Sequence, residues 1–200
     1  MKVLIIRTFP DILNLNAYNV QEIGLAKALA CRGIGCGVVL YAGRNRDREE
    51  IYRFERNGRS YSFPIYHFKG FSIFKNGFMP SVFRIMAEYD VIQVHEYDQI
   101  FSWMLYSRLK RPTVIYHGPY YHEYARGYNL KCKVFDMLFL RGRKYRHVVT
   151  LTKSELAADF LRQKGFSLVR AVGVGIDREQ FVPQKGETVT CRLSEDKSGF

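Results

Sequence analysis

The chain has 200 residues, 47% of them hydrophobic and 25% charged, with a formal net charge of +12 at pH 7. That composition supports a real core, and no apolar run reaches the ~18 residues that would cross a bilayer. The cysteines at 31, 36, 132 and 191 lack the paired spacing of a zinc site and read as apolar filler in reducing surroundings.

The opening segment, residues 2–7, is apolar between Lys2 and Arg7. It is too short for a signal peptide and reads as a first strand buried on both faces. Residues 8–16 form a loop. Residues 17–32 form a helix that buries Val20, Ile23, Leu25, Ala28 and Leu29 and stops at Gly33. A second strand spans 37–42, followed by a charged connection over 43–50. Within 51–68, Asn57-Gly58 stands between alternating runs, which predicts a tight hairpin. A helix follows over 79–88, then a strand over 91–95, a helix over 99–108, a strand over 113–116 and a helix over 131–143. Strands alternating with helices predict an α/β fold, a parallel sheet with right-handed crossovers and helices on both faces.

Ligands in such sheets bind beyond the carboxyl ends of the strands. That selects the loops at 8–16, 96–98, 117–124 and 175–177. The first loop, Thr8-Phe-Pro-Asp-Ile-Leu-Asn-Leu-Asn16, contains no glycine. It excludes the dinucleotide fingerprint and the phosphate-cradling P-loop.

Residues 147–181 are the most informative. An apolar run, 147–151, precedes Thr152, which stands three residues before Glu155 at the spacing of a capping box. Leu156, Ala157, Phe160 and Leu161 share one helical face, and Gly165 marks the helix end. A second apolar run, 168–174, ends in Gly173-Val-Gly175-Ile-Asp177, with Phe181 shortly after. This pattern resembles the end of the N-terminal domain of retaining GT-B glycosyltransferases of family 4, also called group 1. Pro112-Thr-Val-Ile-Tyr-His117-Gly118 is similar to another strand end of that family. Val189-Thr-Cys-Arg192-Leu-Ser-Glu-Asp-Lys197-Ser-Gly199 is similar to the opening of its second domain, with Cys191 in place of a glycine and Ser198 inserted.

The resemblance implies a Rossmann-like N-terminal half of a GT-B fold over 1–182, with a linker and the start of a donor-binding domain over 183–200. It implies that His117 contacts the donor sugar as the catalytic histidine, with Gly118 beside it. It places a donor-phosphate loop at Asn16 and Ala17, where the family has a Gly-Gly pair, and diphosphate ligands at Arg192 and Lys197. On the residues alone, His117 also fits a strand-edge cap, and Arg192 and Lys197 fit an ordinary charged tail. His95 matches a family position too, where it fills the sheet edge.

Charge is concentrated between residues 101 and 150, which hold ten basic residues against two acidic ones. Local excess points to an anionic partner. Arg126, Lys131, Lys133, Arg141 and Arg143 are interleaved with Tyr120, Tyr121 and other aromatic residues. This set suits an acceptor sugar or an anionic membrane surface, and also fits a solvated helix face over an aromatic core. No nucleic-acid module is recognisable, so nucleic acid is not an expected partner.

The expected activity is transfer of a sugar from a nucleotide sugar to a hydroxyl of a glycan or lipid-linked acceptor. Metal and cofactor are not expected. The expected location is cytoplasmic, peripheral at the inner membrane face. Two rival readings remain: a non-catalytic basic domain that docks on anionic membrane or polymer, and a GT-B-like sugar-nucleotide epimerase.

Overall fold

The computed structural model describes residues 1–15, 20–73, 75–141 and 143–175, without the side chains of Arg143 and Lys144. The elements are, in order, β1 (Lys2–Ile6), α1 (Gln21–Ala30), β2 (Gly35–Tyr41), β3 (Arg48–Arg56) and β4 (Arg59–Phe68). A small pair, β5 (Phe71–Ile73) and β6 (Asn76–Phe78), leads to α2 (Val82–Ile85). Then come β7 (Val91–His95), α3 (Ile100–Arg108), β8 (Thr113–His117), α4 (Arg126–Phe139), β9 (Val149–Thr152), α5 (Glu155–Gln163) and β10 (Val169–Ala171).

The main sheet has the order β10-β9-β8-β7-β1-β2-β4-β3. All its neighbours are parallel except β3 and β4. The first strand shows why. Leu4 and Ile6 point into one core, with Phe101, Leu105, Phe135, Phe160 and Leu161 of α3, α4 and α5. Val3 and Ile5 point the other way, onto Ile23 and Ala26 of α1. A strand covered on both faces must be apolar along its covered length, as β1 is from Val3 to Ile6. The fold is therefore α/β with helices on both faces.

The predicted hairpin is β3–β4. Asn57 and Gly58 both take positive φ, 51° and 69°, as a two-residue turn matched to strand twist requires. The free edge, β3, is heavily charged, which discourages pairing with another chain.

Several local expectations are corrected. Thr152 is not the cap of α5. It ends β9, and its buried hydroxyl donates to the carbonyl of Ser154. Ser154 is the cap instead, accepting from the Ala157 amide at 3.2 Å. Leu156 is exposed, and Ala158 takes its place in the buried face. In α1 the buried face runs through Glu22, Ile23, Ala26 and Lys27, leaving Leu25, Ala28 and Leu29 only partly covered. Helix α4 begins at Arg126, before the predicted start, and ends at Phe139. The helix expected over 79–88 is a short α-helical turn continued by a 3-10 turn, Met86–Glu88. The β5–β6 pair was not expected. Gly165 ends α5 with φ 92°, as predicted.

Candidate functional site

Strand order reverses at β1. Strands β2, β4 and β3 lie on one side of it, and β7 to β10 on the other. The crevice beyond β1 and β7 is thus the switch point where open α/β sheets bind ligands. Thr8, just past β1, is buried there. Its hydroxyl donates to the His95 carbonyl at 3.2 Å and lies 3.1 Å from the Ser102 hydroxyl. Ser102 also donates to the His95 carbonyl, at 2.6 Å.

A chain of charges crosses the switch point. Arg7 donates to Asp11 at 2.8 Å and to Glu22 at 2.9 Å, and Glu22 lies 3.3 Å from His95 Nδ1. Glu22 and His95 are both buried. Burial raises the Glu22 carboxyl, but His95 and Arg7 outweigh it, so the group sits below its usual range. Burial pushes the His95 imidazole down, more than Glu22 lifts it. Arg7, hydrogen-bonded to Glu22, is the counter-ion whose charge does not depend on the imidazole. A groove of about 560 Å³ opens beside this chain, lined by Glu22, Leu25, Gln93, His95, Tyr116 and Gly173.

One strand further along stands His117. Parallel pairing sets His95 against Tyr116 and His117 against Thr152, so residue 96 emerges beside His117. Glu96 takes φ 59°, which is uncommon for a residue with a Cβ. Its backbone amide donates to the Tyr116 carbonyl at 3.0 Å. Its carboxylate lies against His117 Nδ1 and accepts the Gly118 amide at 3.2 Å. Burial opposes the Glu96 charge, but the His117 imidazole and the Gly118 amide hold the carboxyl below its usual range.

His117 is 0% exposed. Its ring stacks on Phe160 at 5.8 Å and meets the edge of Tyr97 at 5.1 Å. The approach to Glu96 is close but poorly aligned. Neither ring nitrogen makes a well-formed hydrogen bond among the described residues. Gly118 lies close under Lys153: a Cβ there would stand 2.7 Å from the Lys153 side chain, which would have to move aside. The Lys153 amide donates to the His117 carbonyl at 2.9 Å, and its ammonium lies 5.3 Å from the Tyr116 ring centre.

Glu96, Asp98 and His117 bring potential metal-ligand atoms within 4.8 Å of one another. The Lys131 ammonium already sits on Asp98 at 2.7 Å, and the Gly118 amide on Glu96. Internal donors thus engage two of the three groups.

The structure brings His117 and Gly118 together with Lys131, which turns inward to Asp98. Tyr120 packs against the core. Tyr121 meets the Phe160 ring at 4.7 Å. Arg126, Lys133 and Arg141 are exposed on or beside α4, away from His117's enclosed ring. Asn16, Ala17, Arg192 and Lys197 lie outside the described residues, as do the side chain of Arg143 and the segment 183–200.

Glu22 and Lys153 escaped the sequence reading, and Glu96 was reached only as part of the 96–98 loop, without a role. Glu96 and Lys153 each directly follow a strand, which is a usable signal in a parallel sheet. Glu22 carries no such mark, because its place opposite His95 depends on how α1 crosses the sheet.

The family model described as Glycosyltransferase Family 4 matches residues 23–180. No curated protein matches the chain in sequence. Among solved structures, Anabaena HepE in complex with UDP-glucose aligns at 15% identity and a TM-score of 0.49, over 90% of this chain and 45% of that one. A structure described as trehalose-6-phosphate from E. coli bound with UDP-2-fluoro glucose aligns at 10% identity and 0.49, over 90% and 50%. The chain spans about half the length of these two structures. The family match runs from Ile23, within α1, through the His117–Gly118 strand end, and this chain belongs to glycosyltransferase family 4.

Proposed function

We propose that the chain is the acceptor-binding half of a retaining GT-B glycosyltransferase. The full-length enzyme moves a sugar from a nucleotide sugar to a hydroxyl of a glycan or lipid-linked acceptor, and this half alone is inactive. Residues 1–182 form the acceptor domain, and 183–200 lead into the donor-binding domain. The observation that carries the reading is the His117–Gly118 strand end, locked by Glu96 beside the switch point of a family 4 sheet.

In this reading the acceptor hydroxyl attacks from the leaving-group side of the donor. The departing diphosphate takes its proton. Fixed cations and backbone dipoles stabilise the developing charge, with no resident metal. Lys153 is a candidate for this role, because its ammonium lies at the carboxyl edge beside Gly118. Glu96 places its carboxylate against His117 Nδ1 and favours positive charge on that side of the ring.

A lipid-linked acceptor is favoured by α4. Leu130, Val134, Met137 and Leu138 are all exposed, at 64%, 44%, 53% and 59%. With Arg126 and Lys133 they share one helical face, while Cys132 and Phe135 point to the core. An apolar face flanked by cations suits the interface of an anionic bilayer. No helix among the described residues is long and apolar enough to cross a membrane.

The test is a panel of nucleotide sugars against the gene product, with lipid extracts as acceptors. Release of nucleoside diphosphate should accompany a product with the donor's anomeric configuration, read by NMR. Inversion, or epimerised donor without transfer, overturns the reading.

A further inference from the structure

A second concave surface lies beyond the ends of β2 and β4, on the other side of β1 from His117. It is an open groove of about 1000 Å³. Its walls carry Arg44, Arg46 and Lys69, with Tyr41 and Phe71 supplying aromatic surface. All three cations are exposed, and none has a carboxylate partner among the described residues. The one acid in the lining among the described residues, Asp47, already has its own partners. It accepts from the Ser81 hydroxyl at 2.6 Å, from the Lys69 amide at 2.7 Å and from the Arg84 guanidinium. Arg84 and these donors hold the Asp47 carboxyl below its usual range against the effect of burial. The cations of the groove are therefore not neutralised from within.

The groove is built rather than incidental. Gly43 turns the chain after β2 with φ 62°, and its carbonyl accepts the Gly70 amide at 2.8 Å. At Gly70 a Cβ would stand 2.4 Å from the Phe78 carbonyl and 2.7 Å from the Tyr41 ring. The Gly77 amide donates to the Thr8 carbonyl at 2.9 Å. The β5–β6 pair is thereby fixed over the end of β1, and Phe71 stacks on Phe78 at 5.2 Å with about half its own surface exposed. Three cations beside an exposed ring match a ligand with a sugar ring and an anion. Guanidinium forks suit phosphate or carboxylate oxygens.

We propose that this groove binds an anionic saccharide, its anion held by Arg44, Arg46 and Lys69 and its ring against Phe71. That this saccharide is the acceptor end of the transfer reaction rests on the function proposed above. The binding itself does not.

The test titrates the isotope-labelled chain with hexose 6-phosphate, hexuronate, neutral hexose and inorganic phosphate, following backbone amides by NMR. Hexose 6-phosphate or hexuronate should move the amides of Gly43, Gly70 and Ser72, and the stronger of the two tells phosphate from carboxylate. Neutral hexose and inorganic phosphate should each bind several-fold more weakly. The variant R44Q/R46Q/K69Q should weaken binding by about tenfold or more, a change equal to ~1.4 kcal/mol. Its unshifted core amides would report an intact fold. Equal binding by neutral hexose or by inorganic phosphate overturns the proposal, as does a variant that binds like the parent. Donor hydrolysis by the gene product without acceptor tests the glycosyltransferase reading separately. A protein that binds hexose 6-phosphate here but turns over no donor would refute that reading and leave the groove intact.

Discussion

Glu96 reaches His117 only because its backbone takes φ 59°. In an extended conformation the side chain at this position would continue the alternation of β7 and leave the ring. The left-handed turn instead puts one carboxylate under both the imidazole and the Gly118 amide. Strain in the backbone is thus coupled to the orientation of the one histidine at the end of β8.

Glu96→Gln tests that coupling. The amide keeps an acceptor for Gly118 but loses the charge that faces the ring. The Gly118 amide bond loses its charge assistance, and bonds to charged groups contribute about 1.5–3 kcal/mol against about 1 kcal/mol for neutral ones, so a loss of about 1 kcal/mol is expected. Chemical denaturation measures it. A change under ~0.5 kcal/mol would mean that the close contact contributes nothing.

Gly70→Ala should destabilise the fold by about 1–3 kcal/mol, the usual range for overpacking. The new methyl would meet backbone of β6 and the buried Tyr41 ring, neither of which can swing away. Thermal unfolding of the single variant checks it. By contrast, Gly24→Ala, in the middle of α1 with nothing within 4 Å of its Cβ, should stabilise slightly.

The legible parts of the fold are those set by local rules. Residues 91–95 read as a strand because both faces are covered, and Asn57-Gly58 reads as a turn because only such residues take its φ values. The β5–β6 pair was hidden because Phe71-Ser-Ile73 and Asn76-Gly-Phe78 are too short for a period. They are held by tertiary bonds, Gly77 to Thr8 and Asn76 to Ile100. Thr152 has the spacing of the α5 cap, but Ser154 takes that place. Pairing of Thr152 with His117 takes it into the sheet, and no local rule foretells that. Likewise His117 was legible as a strand-end histidine, but its enclosure by Tyr97 and Phe160 was not. Those rings come from a loop and a helix far apart in sequence.

His95 predicts a pH dependence. Burial lowers its pKa below the ordinary 6.5. The unfolded chain then takes up a proton near pH 6.5 that the folded chain refuses. Its contribution to stability is fully present above pH 6.5 and is lost progressively as pH falls from there towards the folded-state pKa. The melting temperature should drop between pH 7 and 5.5, above the range in which carboxylates titrate. His95→Gln should melt lower at pH 7.5 but lose less on acidification. Parallel curves for the two proteins would assign the acid sensitivity to other groups.

The exposed face of α4 predicts vesicle binding with two separable components. Removing the cations by R126Q/K133Q/R141Q should cut co-sedimentation with anionic vesicles by about tenfold or more and abolish its salt dependence, since each cation near such a surface contributes on the order of 1 kcal/mol. Replacing Leu130, Val134 and Met137 by serine should weaken binding at high salt as well, because buried apolar area is unscreened. Neither set touches the core, so melting temperatures should change little. If both sets sediment like the parent, the face is merely solvated.

His117→Ala is expected to affect both turnover and stability, and the two effects must be measured on the same protein. Read from sequence as the catalytic histidine, His117 faces a cleft, and its loss would lower turnover far more than stability. Its full burial against Phe160 and Tyr97 changes that expectation. Truncating a large buried side chain leaves a cavity, at a cost of about 2–4 kcal/mol, and it strands the Glu96 carboxylate. Turnover should fall by roughly a hundredfold as well, about 3 kcal/mol, if the ring makes a contact that strengthens in the transition state. His117→Asn separates the contributions, because it retains a polar group facing Glu96. Kinetics must be run well below the melting point of each variant, so that the unfolded fraction is negligible. Under those conditions a kcat within a factor of about three of the parent is too small for a lost transition-state contact. His117 would then be a packing residue that holds Glu96 and Gly118, and catalysis would have to be sought at Lys153 and the switch-point groove.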